Sequence, residues 1–285
     1  MKPNASLNRM FAYLLAAWSL FLAPSGHAAD EAPANISLGS VAMDVPAAMV
    51  KRLTPMATYL SAQTGFKVSF RASPNLSSAV EDLGAGHTQM AYLTPVAYLD
   101  AHERYQVMPL VGPLTRGKST FNLVIAVKKD SSIKTVADLR GRKFAFGDEK
   151  ALLQPAVVVA AGMKLEDFAS YGYLRHYDNI AKAVLNGDFD AGILKDTVAD
   201  EFAPKGLRII HVSPPLAPYL FAVSRDLAPK TVAKLKNAML ALNSGTPESK
   251  AVLSSLDPGY DGFVAAEDKD YNGIRSLVAN VSNKK

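Results

Sequence analysis

Ala183 to Thr197, AVLNGDFDAGILKDT, constrains this chain more than any other stretch, because an earlier segment repeats it. Shifting the sequence by 101 positions lays Leu83 on Val184, Gly86 on Gly187, Ala91 on Gly192, Leu93 on Leu194, Thr94 on Lys195 and Pro95 on Asp196. Both copies run from a helix end through a glycine and about five strand residues to a polar residue that opens another helix. A repeat at this distance is too long for a solenoid period. It predicts two similar α/β lobes. In open α/β sheets the ligand sits beyond the carboxyl ends of the strands, so Thr94 and Lys195 are expected to face one cleft from opposite sides. The competing reading is coincidence, since glycine between helix and strand is common.

The first residues stand apart from any core. Lys2 and Arg9 precede an apolar run, Phe11 to Ala23, and Gly26-His27-Ala28 supplies small residues around a cleavage point. This pattern predicts a secretory signal peptide over residues 1–28 and hence an exported protein. The run is shorter than the roughly 20 residues that span a bilayer. Its loss takes two positive charges from a net charge of +5, leaving a mildly basic chain without a dense Lys/Arg block. Nucleic acid is therefore not an expected partner. The sequence has no cysteine, which excludes disulfides, thiolate metal sites, cysteine nucleophiles and a lipidated cysteine. The histidines lack ligand spacing, so no metal and no cofactor are expected.

Along the chain, Ile36 to Val41 reads as a buried strand. Thr54-Pro55 reads as the cap and first residue of a helix whose face is Met49, Leu53, Met56 and Leu60. Pro74-Asn75 starts the next helix. Val107 to Val111 is a strand, Gly112 to Ser119 a polar connector, and Phe121 to Val127 the most β-prone run. Lys143 to Gly147 is a strand and Lys150 to Ala161 an apolar helix; Asp178 caps another helix. Ser213 to Pro218 is a second, proline-rich connector. Lys230 to Leu242, Pro247 to Leu256 and Asp268 to Val278 read as helices. Two connectors give two crossings between the lobes, hence a hinge. The expected division is 29–116 plus 217–285 for lobe 1 and 117–216 for lobe 2.

Five stretches carry a family resemblance: LTPMATYLSAQTG (53–65), AYLTPVAYLDA (91–101), LVIAVKKDSSIKTVADLRGRKFAFGD (123–148), HYDNIAKAVLNGDFDAG (176–192) and HVSPPLAP (211–218). With them the chain resembles the periplasmic substrate-binding proteins of ABC importers, phosphate/phosphite/phosphonate-binding branch, over roughly Ile36 to Leu256. The resemblance implies a type II bilobed periplasmic-binding fold that closes on a small ligand and presents it to a permease in the inner membrane. It also implies a monomer. Where that family carries a serine/threonine-rich turn for the phosphorus oxygens, this chain reads DEKALLQP, Asp148 to Pro155, with no hydroxyl and with Asp148 and Glu149 in place.

The candidate ligand residues fall into four groups. Tyr92, Thr94 and Tyr98 lie at a strand end and the helix after it, where an N-terminus receives an oxyanion; Thr94 is otherwise a plain cap. Lys118, Ser119 and Thr120 begin the strand after the first connector, as ligand donors or as a solvated loop. His176 matches the family's histidine. Lys195 and Asp196 open the helix opposite Thr94, with Lys195 suited to a phosphate, carboxylate or sulfonate or else pointing to solvent. Asp44 and Tyr219 are weaker candidates. An enzyme is not expected: the chain has no nucleophile elbow and no HExxH helix. A sensing adaptor for a signalling receptor, or a carrier of a non-phosphorus solute, fits the same sequence.

Overall fold

The computed structural model describes residues 35–41, 46–73, 76–149 and 151–282. The expected signal peptide, Asp44, the Pro74-Asn75 helix start, Lys150 and the Lys284-Lys285 tail lie outside those residues. The elements are β1 (Asn35–Ser40), α1 (Pro46–Thr64), β2 (Lys67–Phe70), α2 (Leu76–Gly84), β3 (Met90–Leu93), α3 (Pro95–Tyr105) and β4 (Met108–Thr115). After a crossing come β5 (Leu123–Lys128), β6 (Lys143–Phe146), α4 (Leu153–Ala160), β7 (Ser170–Tyr173), α5 (Tyr177–Asn186), β8 (Ala191–Lys195), α6 (Asp196–Phe202) and β9 (Leu207–Val212). A second crossing leads to β10 (Leu220–Val223), α7 (Pro229–Leu240), α8 (Pro247–Leu256), β11 (Tyr260–Ala265) and α9 (Asn272–Ser282).

Two sheets result. One is ordered β11-β4-β10-β3-β1-β2 and the other β7-β6-β8-β5-β9. In the first, β2, β1 and β3 are parallel and β10 runs against β3. In the second, β7, β6 and β8 are parallel and β5 runs against β8. Leaving aside β11, the two sheets have the same order and the same strand directions, which is what the internal repeat requires. The repeat's glycines explain themselves: Gly86 (φ +74°) and Gly187 (φ +82°) both turn the chain through the left-handed region before the next strand, a conformation that costs other residues a Cβ clash.

Parallel strands need a helical crossover, and the helices cover the sheet faces that the strands bury. In β5, Leu123 to Val127 are all buried. Phe144, Phe146 and Phe168 form an aromatic cluster under β6, with Phe144 and Phe168 stacked at 4.6 Å. The C-terminal helix α9 packs against both α3 and α4, one helix from each sheet's layer. Leu277 and Val278 of α9 lie on a core that includes Val157 and Val158 of α4.

Four expectations need correction. Helix α1 does not begin at Thr54; it runs from Pro46 through Pro55. An interior proline costs a helix about 3 kcal/mol, and the buried stripe Met49, Leu53, Met56, Leu60 outweighs it. Strand β4 continues to Thr115, so the first connector shrinks to a turn at Arg116-Gly117 and the few residues after it. His176, not Asp178, holds the cap position of α5. Strand β11 was not expected at all: residues 260–265 were given no element, and they form a strand by pairing with β4.

Candidate ligand-binding site

The two copies of the repeat place Thr94 and Lys195 alike. Thr94 follows the last residue of β3 and Lys195 is the last residue of β8, and each is the N-cap of the next helix, with backbone angles of −68°, 158° and −71°, 142°. Their side chains differ. Thr94 Oγ1 accepts a hydrogen bond from Ala97 N at 3.1 Å, so it is a working cap. Lys195 makes no cap bond. Its ammonium lies 5.4 Å from the centre of the Phe121 ring.

Lys195 opens on a pocket of about 60 Å3 lined by Thr115, Arg116, Lys118, Thr120, Asp196 and their neighbours. The sequence candidates Lys118, Thr120, Lys195 and Asp196 thus meet in one place, where the first crossing passes the start of α6. Arg116 is paired with Asp200 at 3.6 Å. Among the described residues, neither Lys118 nor Lys195 has a carboxylate within ion-pair reach. Asp196 is committed: Oδ2 accepts from Asn122 N at 3.0 Å and Oδ1 from Thr197 N at 2.8 Å. Its carboxylate fastens β5 to α6 and takes N–H groups that an oxyanion would otherwise use. Ser119 is exposed on the same turn and is not among the pocket-lining residues. His176 is exposed at the start of α5, with no capping bond from its side chain.

Tyr92 forms the back wall of a second feature. It is buried, stacks on Tyr219 at 5.3 Å and packs on Phe221 at 4.8 Å. Its hydroxyl is 2.6 Å from that of Tyr260. Burial raises the Tyr92 phenol well above its usual range, and Tyr260 adds to this. Burial likewise raises Tyr219, reinforced by Tyr177 and Asp148 and opposed by Arg52. Burial also raises Tyr177 at the start of α5, which hydrogen-bonds the Gln154 side chain and feels Asp196. Tyr92 and Tyr260 lie in the first sheet, Tyr219 immediately before β10, and Tyr177 opens α5, near enough to Tyr219 for its charge to be felt there. Gln154 is buried, and its Oε1 accepts from Gly147 N at 2.7 Å. An amide therefore satisfies the backbone at the segment where hydroxyls were expected.

Tyr98 is a correction. It is fully buried, its ring lies 4.7 Å from Tyr271, and its hydroxyl donates to Asp268 Oδ1 at 2.8 Å. It sits on the face of α3 shared with Pro95, Ala97 and Ala101, which turns it into the core. Its work is to hold α9. Asp268 also accepts from Arg275 Nη2 at 2.8 Å and has His102 at 3.6 Å. Burial works against the Asp268 charge, but Tyr98, Arg275 and His102 outweigh it and hold the carboxyl below its usual value. A depressed carboxyl adds stability that is present above the unfolded pKa and lost as pH falls through the folded one. Acid unfolding of the parent is therefore expected to gain a step below about pH 4 that Asp268→Asn lacks. Identical acid limbs in circular dichroism titrations of the two proteins would remove this assignment.

The family model described as "ABC transporter, phosphonate, periplasmic substrate-binding protein" matches residues 38–271. This chain belongs to that family. A relative, the phosphate-import protein PhnD of Mycolicibacterium smegmatis, is 26% identical and covers 92% of this chain and 90% of its own. Among solved structures, XAC2383 from Xanthomonas citri, determined bound to ATP, superimposes with a TM-score of 0.71 at 19% identity over 88% of this chain and 98% of its own. PhnD1 from Prochlorococcus marinus, in complex with methylphosphonate, gives 0.70 at 20% identity over 88% and 99%. The fold is thus the type II bilobed periplasmic-binding fold. Phosphonate-family binding proteins serve ABC importers in the periplasm, and that is this chain's role. Tyr177, Tyr260 and Gln154 are further candidates that the sequence did not single out, while Tyr219 was only a weak one.

Proposed function

We propose that this protein captures a small phosphorus oxyanion between its two lobes and delivers it to the permease of an ABC importer, without chemical turnover. The observation that carries the reading is the pocket at the first crossing, which Lys118 and Lys195 line together with hydroxyl-bearing Thr115 and Thr120, and where, among the described residues, neither lysine has a carboxylate partner. Two ammonium groups in a recess suit a dianion, and charge-assisted bonds are the strong ones. The relative named for phosphate import and the neighbour holding methylphosphonate support the same chemistry.

The lobes in this reading are 29–116 with 217–285, and 117–216. Closure bends the chain at the two crossings, 116–122 and 213–219, and needs only that the ligand bind the closed state better than the open one. Residues 1–28 act as the export signal, and the mature chain works as a monomer. A thermal-shift screen of the protein against phosphate, phosphite, alkylphosphonates, sulfonates, carboxylates and amines tests this. Ligand at 100 times its dissociation constant stabilises by about 2.7 kcal/mol. A shift with a phosphorus oxyanion is expected; a shift only with another class would discard the phosphorus assignment and keep the carrier role.

A further inference from the structure

The tyrosines have chemistry that a bare oxyanion does not use. A phosphate or phosphite presents oxygen on every side and is best held by a shell of N–H and O–H donors. Beside the basic pocket this chain presents aromatic rings instead: Tyr219 stacked on Tyr92, Tyr260 bonded to Tyr92 through its hydroxyl, and Tyr177 at the start of α5. Tyr177, Tyr219 and Tyr260 are each part-exposed, whereas Tyr92 behind them is not. Tyr177 lies near enough to Asp196 to feel its charge, so the rings adjoin the Lys195 pocket. The carboxylates near the rings are partly spoken for: Asp196 accepts from two backbone N–H groups, Asp257 Oδ1 accepts from Gly259 N at 2.8 Å, and Asp148, whose charge Tyr219 feels, has a partner of its own.

We propose that Tyr177, Tyr219 and Tyr260 form a platform for the organic body of the ligand, and that the site selects an oxyanion carrying a flat, ring-bearing group over inorganic anions. The inference rests on the reading of the Lys118–Lys195 pocket as the oxyanion end. Rings favour offset-stacked or edge-to-face partners, with a gain beyond the area they bury. The Tyr92–Tyr260 pair has two protons and uses one between its oxygens; the other is left for a polar substituent on the ligand. Because Tyr177 begins α5 of the second lobe and Tyr260 lies in β11 of the first, with Tyr219 just before β10, a flat body completes the contact between lobes only when they are closed.

The test is calorimetric titration of the purified protein with phenylphosphonate, methylphosphonate, 2-aminoethylphosphonate and inorganic phosphate, repeated on Tyr219→Leu and Tyr177→Leu. Melting curves without ligand check that the variants are folded; because the two substitutions lie in different layers, either one suffices for the reading. Phenylphosphonate is expected to bind about tenfold or more tighter than phosphate, with methylphosphonate between, and this ratio is expected to fall toward one in the variants. Phosphate binding as tightly as phenylphosphonate, the aminoethyl compound binding tightest of all, or an unmoved ratio in both variants would each overturn the platform. If no phosphorus compound binds, the function proposed above fails, and the same comparison with sulfate, methanesulfonate and benzenesulfonate decides the platform separately. Silence in both series overturns both.

Discussion

Lys195→Ala is expected to lower the affinity for a phosphorus oxyanion by about 10- to 100-fold while leaving the melting temperature of the free protein almost unchanged. The reasoning is local. Lys195 caps the repeat of α6 on the second sheet, opens on the same pocket as Lys118, and among the described residues has no carboxylate to neutralise it. A hydrogen bond to a charged group contributes about 1.5–3 kcal/mol, and each 1.4 kcal/mol is tenfold in the dissociation constant. In the free protein the ammonium contributes little, because Lys195 is only half-buried and its head lies 5.4 Å from the centre of the Phe121 ring with no capping bond. Lys195→Arg is expected to keep part of the affinity, since the charge stays but the compact ammonium becomes a planar fork. The loss in the alanine variant should shrink as salt rises, because the pocket is open to solvent. An unchanged dissociation constant by calorimetry would take Lys195 out of the site.

Gly192→Ala is expected to destabilise the protein by about 2–3 kcal/mol, and Gly192→Val by more, without any change in ligand chemistry. A Cβ on Gly192 would lie 2.3 Å from Ile180 Cγ2 and 3.3 Å from both the Cβ and the oxygen of Ala145. Overfilling a packed core costs about 1–3 kcal/mol, and here the clash includes backbone that cannot give way. For a chain of this size each kcal/mol moves the midpoint by roughly 2–4 °C, so a fall of roughly 4–12 °C is readable by differential scanning calorimetry. Ile180→Leu removes the offending Cγ2; in that background the alanine should cost less. Equal costs in both backgrounds would mean that the strain lies elsewhere. The internal repeat sharpens the point: Ala91 holds the corresponding place in β3 with its methyl fully buried, so the glycine answers to the close approach of α5 and not to the strand.

The repeat was the most informative part of the sequence because it fixed two quantities at once, the positions of Gly86 and Gly187 in the left-handed region and the matched caps Thr94 and Lys195. Local pattern carried that far. It failed where a partner decides the outcome. Nothing in YDGFVA distinguishes a turn from a strand until β4 is beside it, and so Tyr260 was invisible as a site residue. Tyr98 was misread because its distance from Thr94 suggested the same cleft, whereas helical rotation carries it to the face of α3 that meets Tyr271 and Asp268. Attention to His176 hid the tyrosine next to it. The Asp148–Pro155 segment announced a departure from the family turn, but only three dimensions show Gln154 supplying the backbone's hydrogen bond and meeting Tyr177.

The order of the first sheet also governs how the chain comes to be folded. Strands β5 to β9 are consecutive, so the second sheet is complete once residue 212 is available. The first sheet has β10 wedged between β3 and β4. Until residues 220–223 arrive, both neighbours present open edges, and such edges recruit foreign strands. Long-range pairing of this kind is slow. A chain emerging amino end first therefore passes through a stage with one finished lobe and one divided sheet, and it is then that it depends on chaperones and is most exposed to aggregation and proteases.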